Sequence, residues 1–387
     1  MNNQITRTVF EEIVATLDIP ESAYEKVEKR YKDLGEWFGR AEAKCSKFDP
    51  HVYPQGSFRL GTVVRPLNDD DEYDLDLGCR LRRGITRSSH TQKQLKHLVG
   101  ADMEDYRRAR GIESKMEEKH RCWRLQYADE LNFHMDTVPS IPEESQRVRT
   151  LVEAMVKSGS ASGLAENVMR FAGAITDNRL PSYDLISPDW KISNSEGYAL
   201  WFESRMRLAM ALLENRAKEA SVAKVDDLPA RKWKSPLQQV VQILKRHRNV
   251  MFSEDPDGKP ISIILTTLSA LAYQGEQDVV SALERVLTDM GNYVRSSTPR
   301  VPNPVNPSED FADKWADPKH RNLNLEAKFW QWLKQARADF VSIGQSRDAE
   351  FIAEQAIKNL PQHLTRRISR KGWAWERHTS ARHPRAI

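Results

Sequence analysis

Three aspartates and one Gly-Ser turn carry the residue types and spacing that can do chemistry in this chain: Asp74, Asp76 and Asp136, with Gly56-Ser57 upstream. Asp74 and Asp76 alternate with Leu75 and Leu77. Successive side chains of a strand point to opposite faces, so both carboxylates share one face and both leucines the other. Asp136 stands in a second alternating run, Phe133-His134-Met135-Asp136-Thr137-Val138, opposite Phe133 and Met135. Two strands can therefore offer three carboxylates to one site. Carboxylate oxygens are hard ligands that suit Mg²⁺ or Mn²⁺. Two such ions held by Asp74, Asp76 and Asp136 would clamp the attacking and leaving oxygens of an in-line displacement at phosphorus. Asp136 would serve the nucleophile side and help take the proton. His134 shares that face, where a satisfied structural histidine is a commoner outcome than a metal ligand.

The upstream run Gln55-Gly56-Ser57-Phe58-Arg59-Leu60-Gly61-Thr62 reads as a phosphate-holding turn. Gly56 has no Cβ to keep a ligand from the backbone. Ser57 adds a hydroxyl, and the exposed N–H groups of such a turn can cradle phosphate oxygens. Residues 57–64 read as the turn with a strand edge after it, and 65–72 as a polar loop. An isolated D-x-D is more often a solvated strand face; the turn before it and the strand acid after it shift the balance toward a site. A calcium loop counted from Asp70 fails, because Leu75 stands where Gly is required and Leu81 where the bidentate Glu belongs.

The elements that must position these residues follow from periodicity. Val9, Phe10, Ile13, Val14 and Leu17 recur at helical spacing, Pro20 interrupts, and Tyr24, Val27, Tyr31, Leu34 and Phe38 mark a second amphipathic helix. Residues 1–46 are thus expected to be helices bracing a core. Strand and turn signals dominate 51–139, with Cys122-Trp123-Arg124-Leu125-Gln126-Tyr127 as a further strand and a polar helix over 90–108. The catalytic core is expected to span 47–200, and a helical lobe with a basic tail 201–387. In that lobe Leu237, Val240, Val241 and Leu244 form an apolar stripe ending in Lys245-Arg246-His247-Arg248, and 262–273 is apolar enough to be a buried helix. Asn303-Pro304-Val305-Asn306-Pro307 reads as a rigid loop, after which Ser308 would cap a helix. Phe329, Trp332, Leu333, Ala336 and Phe340 line a later one.

Composition sets the outer bounds. A chain of 387 residues with 39% hydrophobic and 29% charged content is long enough for two globular domains. No apolar run approaches the roughly 20 residues of a membrane span. A net charge of +4 permits a local basic groove without implying nucleic-acid binding. Cys45, Cys79 and Cys122 are widely spaced, form no C-x-x-C pair and suggest a reducing cytoplasm.

The turn, with Glu72-Tyr73-Asp74-Leu75-Asp76-Leu77, resembles the cGAS/DncV-like nucleotidyltransferases (CD-NTases). These are the bacterial cyclic-oligonucleotide synthases of CBASS antiphage defence, within the polymerase-β superfamily. Residues 303–311 resemble a segment common in that group, and the likeness runs over about residues 20–345. The interval from Ser57 to Asp74 is longer than is usual in the superfamily, and the polar loop can absorb it. The resemblance implies an α+β fold: a polymerase-β-like nucleotidyltransferase lobe of mixed sheet with helices, a C-terminal helical lobe, and nucleotides in the cleft between. It implies a lysine and a serine of the helical lobe on the donor triphosphate; Lys245, at the margin of the apolar stripe, and Ser262, at a helix start after Pro260, are the candidates. With Gln55, Gly56 and Ser57 they make up the expected substrate-binding set.

The activity implied is metal-dependent synthesis of a cyclic di- or trinucleotide from NTPs, adenine-containing, with ATP and secondarily GTP as substrates. Regulatory or effector proteins of a defence operon are the implied partners, with no membrane. Two rivals stay open: a nucleotidyltransferase making linear products or modifying an RNA, protein or small molecule, and a non-catalytic nucleotide- or RNA-binding protein. Arg366, Arg367, Arg370, Lys371, Trp373 and Trp375 form a basic aromatic tail that reads equally as a nucleic-acid or partner contact and as a disordered end.

Overall fold

The computed structural model describes residues 4–67, 72–127, 133–220 and 234–345. The basic aromatic tail and most of the polar loop before Glu72 lie outside them. Helices α1 (Gln4–Leu17) and α2 (Glu21–Gly39) come first, followed by β1 (Pro50–Pro54), a single helical turn α3 (Gly56–Leu60), β2 (Tyr73–Leu81) and α4 (Gln92–Ala109). Next come β3 (Glu117–Glu118), β4 (Trp123–Tyr127), β5 (Phe133–Pro142), α5 (Ser145–Lys157), α6 (Ser162–Met169), β6 (Gly173–Ile175), β7 (Lys191–Ser193) and α7 (Ser195–Ala220). The remainder is α8 (Pro236–Met251), α9 (Ser262–Ala272), α10 (Val279–Asp289), the hairpin β8 (Pro302–Asn303) and β9 (Asn306–Asp310), and α11 (Leu325–Gln345).

Packing divides the chain into two compact units, one formed by Ile19–Glu203 with Pro304–Pro307 and the other by the remaining described residues. The first is built on a mixed sheet in the order β1-β2-β5-β4-β3, with β6 against the end of β5 and β7 against β6. Among the described strands of this sheet only β2 and β5 pair in parallel. Leu75, Leu77, Cys79 and Leu81 of β2 are fully buried, in one cluster with Leu34 and Phe38 of α2 and with Leu95, Val99 and Met103 of α4. Burying each such side chain stabilises the fold by about 1.5–3 kcal/mol, so this face holds the strand's orientation firmly. The helix starts are also written locally. Thr91 caps α4 in a reciprocal box with Gln94. The Asp102 carboxylate of α4 accepts from the backbone N–H groups of Lys44, at 2.9 Å, and Cys45, at 2.8 Å, and so fixes the turn before β1.

The second unit is helical. Ser235 and Gln238 box the start of α8, with Pro236 in its first turn. Leu237, Val240, Val241 and Leu244 are fully buried there, as their spacing predicts, and so are the expected apolar residues of α11 or nearly so. Among the described residues no helix is long and apolar enough to cross a membrane.

Three local readings change. The helices of 1–46 do not act together: α1 packs with α8 and α10, and its Phe10 ring meets Phe340 of α11, while α2 packs on β1 and the sheet core. Residues 57–64 form no strand. Gly56 at φ 61° and Gly61 at φ 66° bracket one helical turn, and the left-handed Gly61 ends it. Ser308 caps no helix, because it lies in β9. The acids after it bind backward instead: Glu309 accepts from the Asn303 side chain at 2.7 Å, and Asp310 from the N–H groups of Arg300 and Val301.

Candidate active site

The aspartates come together through strand register. Asp76 of β2 pairs with Asp136 of β5, and Asp136 in turn with Arg124 of β4; one step along, Asp74 pairs with His134 and His134 with Gln126. Alternation puts all six on the face opposite the buried leucines, Phe133, Met135 and Leu125. The face is thus two rows of three polar residues across three strands. The period-two reading expects Asp74, Asp76 and Asp136 on one face, and the strand register is consistent with that placement.

The turn is pinned to the same strand. The Gln55 N–H donates to the Asp76 carbonyl at 2.8 Å, and the Gln55 side-chain amide to the Leu77 carbonyl at 3.1 Å. Gln55, expected as a substrate contact, is therefore engaged in holding β1 and α3 to β2. Gly56 is constrained twice: its φ is positive, and a Cβ there would lie 2.2 Å from the Asp76 Oδ2. Ser57 follows, half-buried in the first turn of α3, which Gln55 leaves without a side-chain cap. Arg59 of α3 donates to Glu203 of α7 at 2.5 Å.

The carboxylates do not face one another bare. Arg124 donates from Nε and Nη2 to the two oxygens of Asp136, each at 2.7 Å, in a bidentate fork. His134 lies between two acids, with Nε2 at 2.5 Å from Asp74 and Nδ1 at 2.7 Å from Glu72. Gln126 donates to the other oxygen of Glu72. The hydrogen bond to Asp74 holds the His134 imidazole above its ordinary value, and pairing with Asp136 raises Arg124 further. Burial pushes the neighbouring Cys122 thiol up to about 12, so it stays neutral.

The expected metal centre of Asp74, Asp76 and Asp136 is consequently not assembled as a three-carboxylate cage: among the described residues no three His, Cys, Asp or Glu side chains stand in position to hold an ion. The physical reason is charge. Two of the three carboxylates are engaged by cationic groups, Asp136 by Arg124 and Asp74 by His134. The donor set still fits a hard divalent cation, because all three side chains offer carboxylate oxygen from adjoining strands, and Gly56 lets the turn approach the Asp76 carboxylate closely.

Lys245 and Ser262 belong to the helical unit. Lys245 is buried in α8. Ser262 lies in the first turn of α9, where its hydroxyl accepts from Arg248 at 3.1 Å; Arg248 also donates to the Pro260 carbonyl at 2.7 Å. The cation that engages Ser262 is therefore Arg248. Sequence reasoning missed Arg124, Glu72 and Gln126 as part of the acid face. The signal was present, since Arg124 and Gln126 alternate with Leu125, but which strand they would meet was not.

Comparison with known proteins gives one matching family model and a set of similar proteins and solved structures. The model described as "Cyclic GMP-AMP synthase DncV-like, nucleotidyltransferase domain" matches residues 50–139, which include the turn and all three aspartates. A c-di-GMP synthase of Roseivirga ehrenbergii is 30% identical over 329 residues, covering 81% of this chain and 74% of that protein. The cyclic dinucleotide synthase CdnG of Bradyrhizobium diazoefficiens is 24% identical over 400 residues, covering 95% and 86%. The solved structure of that CdnG in complex with GTP matches with a TM-score of 0.67 at 21% identity, covering 94% of this chain and 97% of that one.

Proposed function

The chain belongs to the DncV-like nucleotidyltransferases, the CD-NTases, and from that membership we propose that it makes a guanine-containing cyclic dinucleotide from NTPs. It is a nucleotidyltransferase that joins and cyclises NTPs. The choice of guanine is supported by likeness to the c-di-GMP synthase; the expectation of adenine rests on the family resemblance alone, and the base masses of the product decide between an all-guanine, a mixed and an all-adenine ring. The observation that carries the reading is the row of Asp76 and Asp136 on paired parallel strands, with the Gly56 turn against Asp76.

In the proposed reaction a ribose 3′- or 2′-hydroxyl of one nucleotide attacks the α-phosphorus of another. The new P–O bond forms as the bond to pyrophosphate breaks, and a second such transfer closes the ring. Asp74, Asp76 and Asp136 would hold two Mg²⁺ or Mn²⁺ ions, which when bound acidify the hydroxyl and neutralise triphosphate charge. Asp136 helps accept the hydroxyl proton. The Gly56-Ser57 turn binds phosphate oxygens, and Lys245 and Ser262 contact the donor triphosphate, as the family resemblance implies. A cytoplasmic setting, an antiphage role and regulatory or effector partners from a defence operon complete the proposal.

The test is incubation with all four labelled NTPs and Mg²⁺ or Mn²⁺, followed by mass analysis and phosphatase treatment. A phosphatase-resistant cyclic product with released pyrophosphate is expected. A linear product or a labelled acceptor would point to the second type of transferase, and nucleotide binding without pyrophosphate to a non-catalytic protein.

A further inference from the structure

We propose that Arg124 is a positioning residue that weakens the hold of Asp136 on a bare divalent cation, so that metal is taken up together with nucleotide rather than ahead of it. The inference rests on the metal-dependent reading above. Arg124 and Asp136 are register partners on β4 and β5, and Asp76 is the register partner of Asp136 on its other side. A cation shared by Asp76 and Asp136 would therefore sit within a few ångströms of the guanidinium. The fork engages both oxygens of Asp136 at 2.7 Å. The pair is partly shielded, with side chains 29% and 17% exposed, so solvent screens it less than a surface ion pair.

Arg124 is also held where it is. Its neighbour Leu125 is fully buried, and the indole N–H of Trp123 donates to the Lys96 carbonyl at 2.8 Å. The guanidinium thus comes from a fixed strand. A bare ion meets a carboxylate whose charge is already balanced and must share it against the repulsion of a nearby positive charge. A triphosphate changes that balance: it brings its own oxygen donors for the ion and negative charge that offsets the guanidinium. Arg124 by this account makes no contact with the reacting atoms and acts through Asp136.

The experiment measures Mn²⁺ binding to the full chain by electron paramagnetic resonance, with and without α,β-methylene-GTP. It uses the native chain, Arg124→Gln and Arg124→Lys, with circular dichroism as the check on folding. Arg124→Gln should bind bare Mn²⁺ about tenfold more tightly than the native chain, the order expected from removing a unit charge at such a distance. The tightening caused by the analogue should be large in the native chain and much smaller in Arg124→Gln. Arg124→Lys should fall between, since it keeps the charge and loses the fork. Bare Mn²⁺ binding that is unchanged or weaker in Arg124→Gln overturns the inference. Failure of Arg124→Gln to fold leaves the decision to Arg124→Lys, which must bind bare Mn²⁺ more tightly than the native chain. If the native chain binds no Mn²⁺ even with the analogue, it is the metal-dependent reading that fails.

Discussion

Gly56, in the turn beside the acid face, has little freedom to change, because its backbone conformation and the Asp76 carboxylate both exclude a side chain. Gly56→Ala should cost about 1–3 kcal/mol from the left-handed backbone alone, and should also displace Asp76. A lowered Tm together with a fall in kcat is the expected result; a fully active variant with native Tm would show that the turn has another form in solution. A different combination is expected for Asp74→Asn with Asp76→Asn. Removing two like charges opens no cavity, and the pairing it takes from His134 involves a largely exposed Asp74 and is worth little, so Tm should change little while product formation, followed by pyrophosphate release, is abolished. Full synthesis by that folded double variant would remove both aspartates from the chemistry. The aspartates were legible in the sequence because period-two alternation is local. Arg124 was not, because its meaning depends on β4 lying beside β5, which no neighbouring residue states. For the same reason the engagement of Ser262 by Arg248 had no sequence signal: burial, which lowers Arg248 to about 10, comes from packing.

At the level of elements, the sequence spoke clearly where periodicity was strong and poorly where a few turn residues decide. α8 and α11 follow from their apolar stripes. The single turn α3 and the β8–β9 hairpin depend on individual glycines and on acids that bind backward, and both were read differently from the bare sequence. The β3–β4 hairpin offers a test of how an element supports the site. Lys96 of α4 is fully buried; its ammonium pairs with Glu118 at 3.1 Å and donates to the carbonyls of Lys119 and of His120, the latter at 3.0 Å. Lys96→Met leaves those carbonyls without their donor and should destabilise the fold by about 1–3 kcal/mol. Because the hairpin carries Arg124 and Gln126, amide hydrogen exchange should quicken over 117–127 more than over α8. Equal protection in the variant and the native chain would mean that the sheet edge alone holds the hairpin.

For the whole molecule, packing ignores chain order: α1 joins the helical unit, α2 the sheet, and the division falls between Glu203 and Ser204, inside the continuous α7. No composition shift marks that point, which is why boundaries at 46 and 200 were a natural reading. Global stability should carry a signature of the helical unit. His247 is buried between Trp332 and Phe340, its Nε2 at 2.9 Å from Asp339, and burial holds it below its ordinary value of 6.5. The unfolded chain then binds more protons than the folded one below about 6.5, so stability is full above that pH and falls as pH drops toward the lowered value, by at most about 1.4 kcal/mol per pH unit for one group. Thermal melts from pH 7.5 to 5.5 should show this loss, and His247→Leu should flatten it; an unchanged slope in the variant would assign the loss to other groups. The parallel pairing of β2 with β5 has a last consequence, which concerns time. α4 and the β3–β4 hairpin lie between these strands in the chain, so Asp76 and Asp136 are strangers during synthesis and meet only when a long loop closes. A nascent chain released from the ribosome only as far as β4 carries the turn and both early aspartates yet lacks the strand that completes them. Competence should therefore arrive late and abruptly in folding, as one event, and no half-made chain should run the reaction ahead of the finished protein.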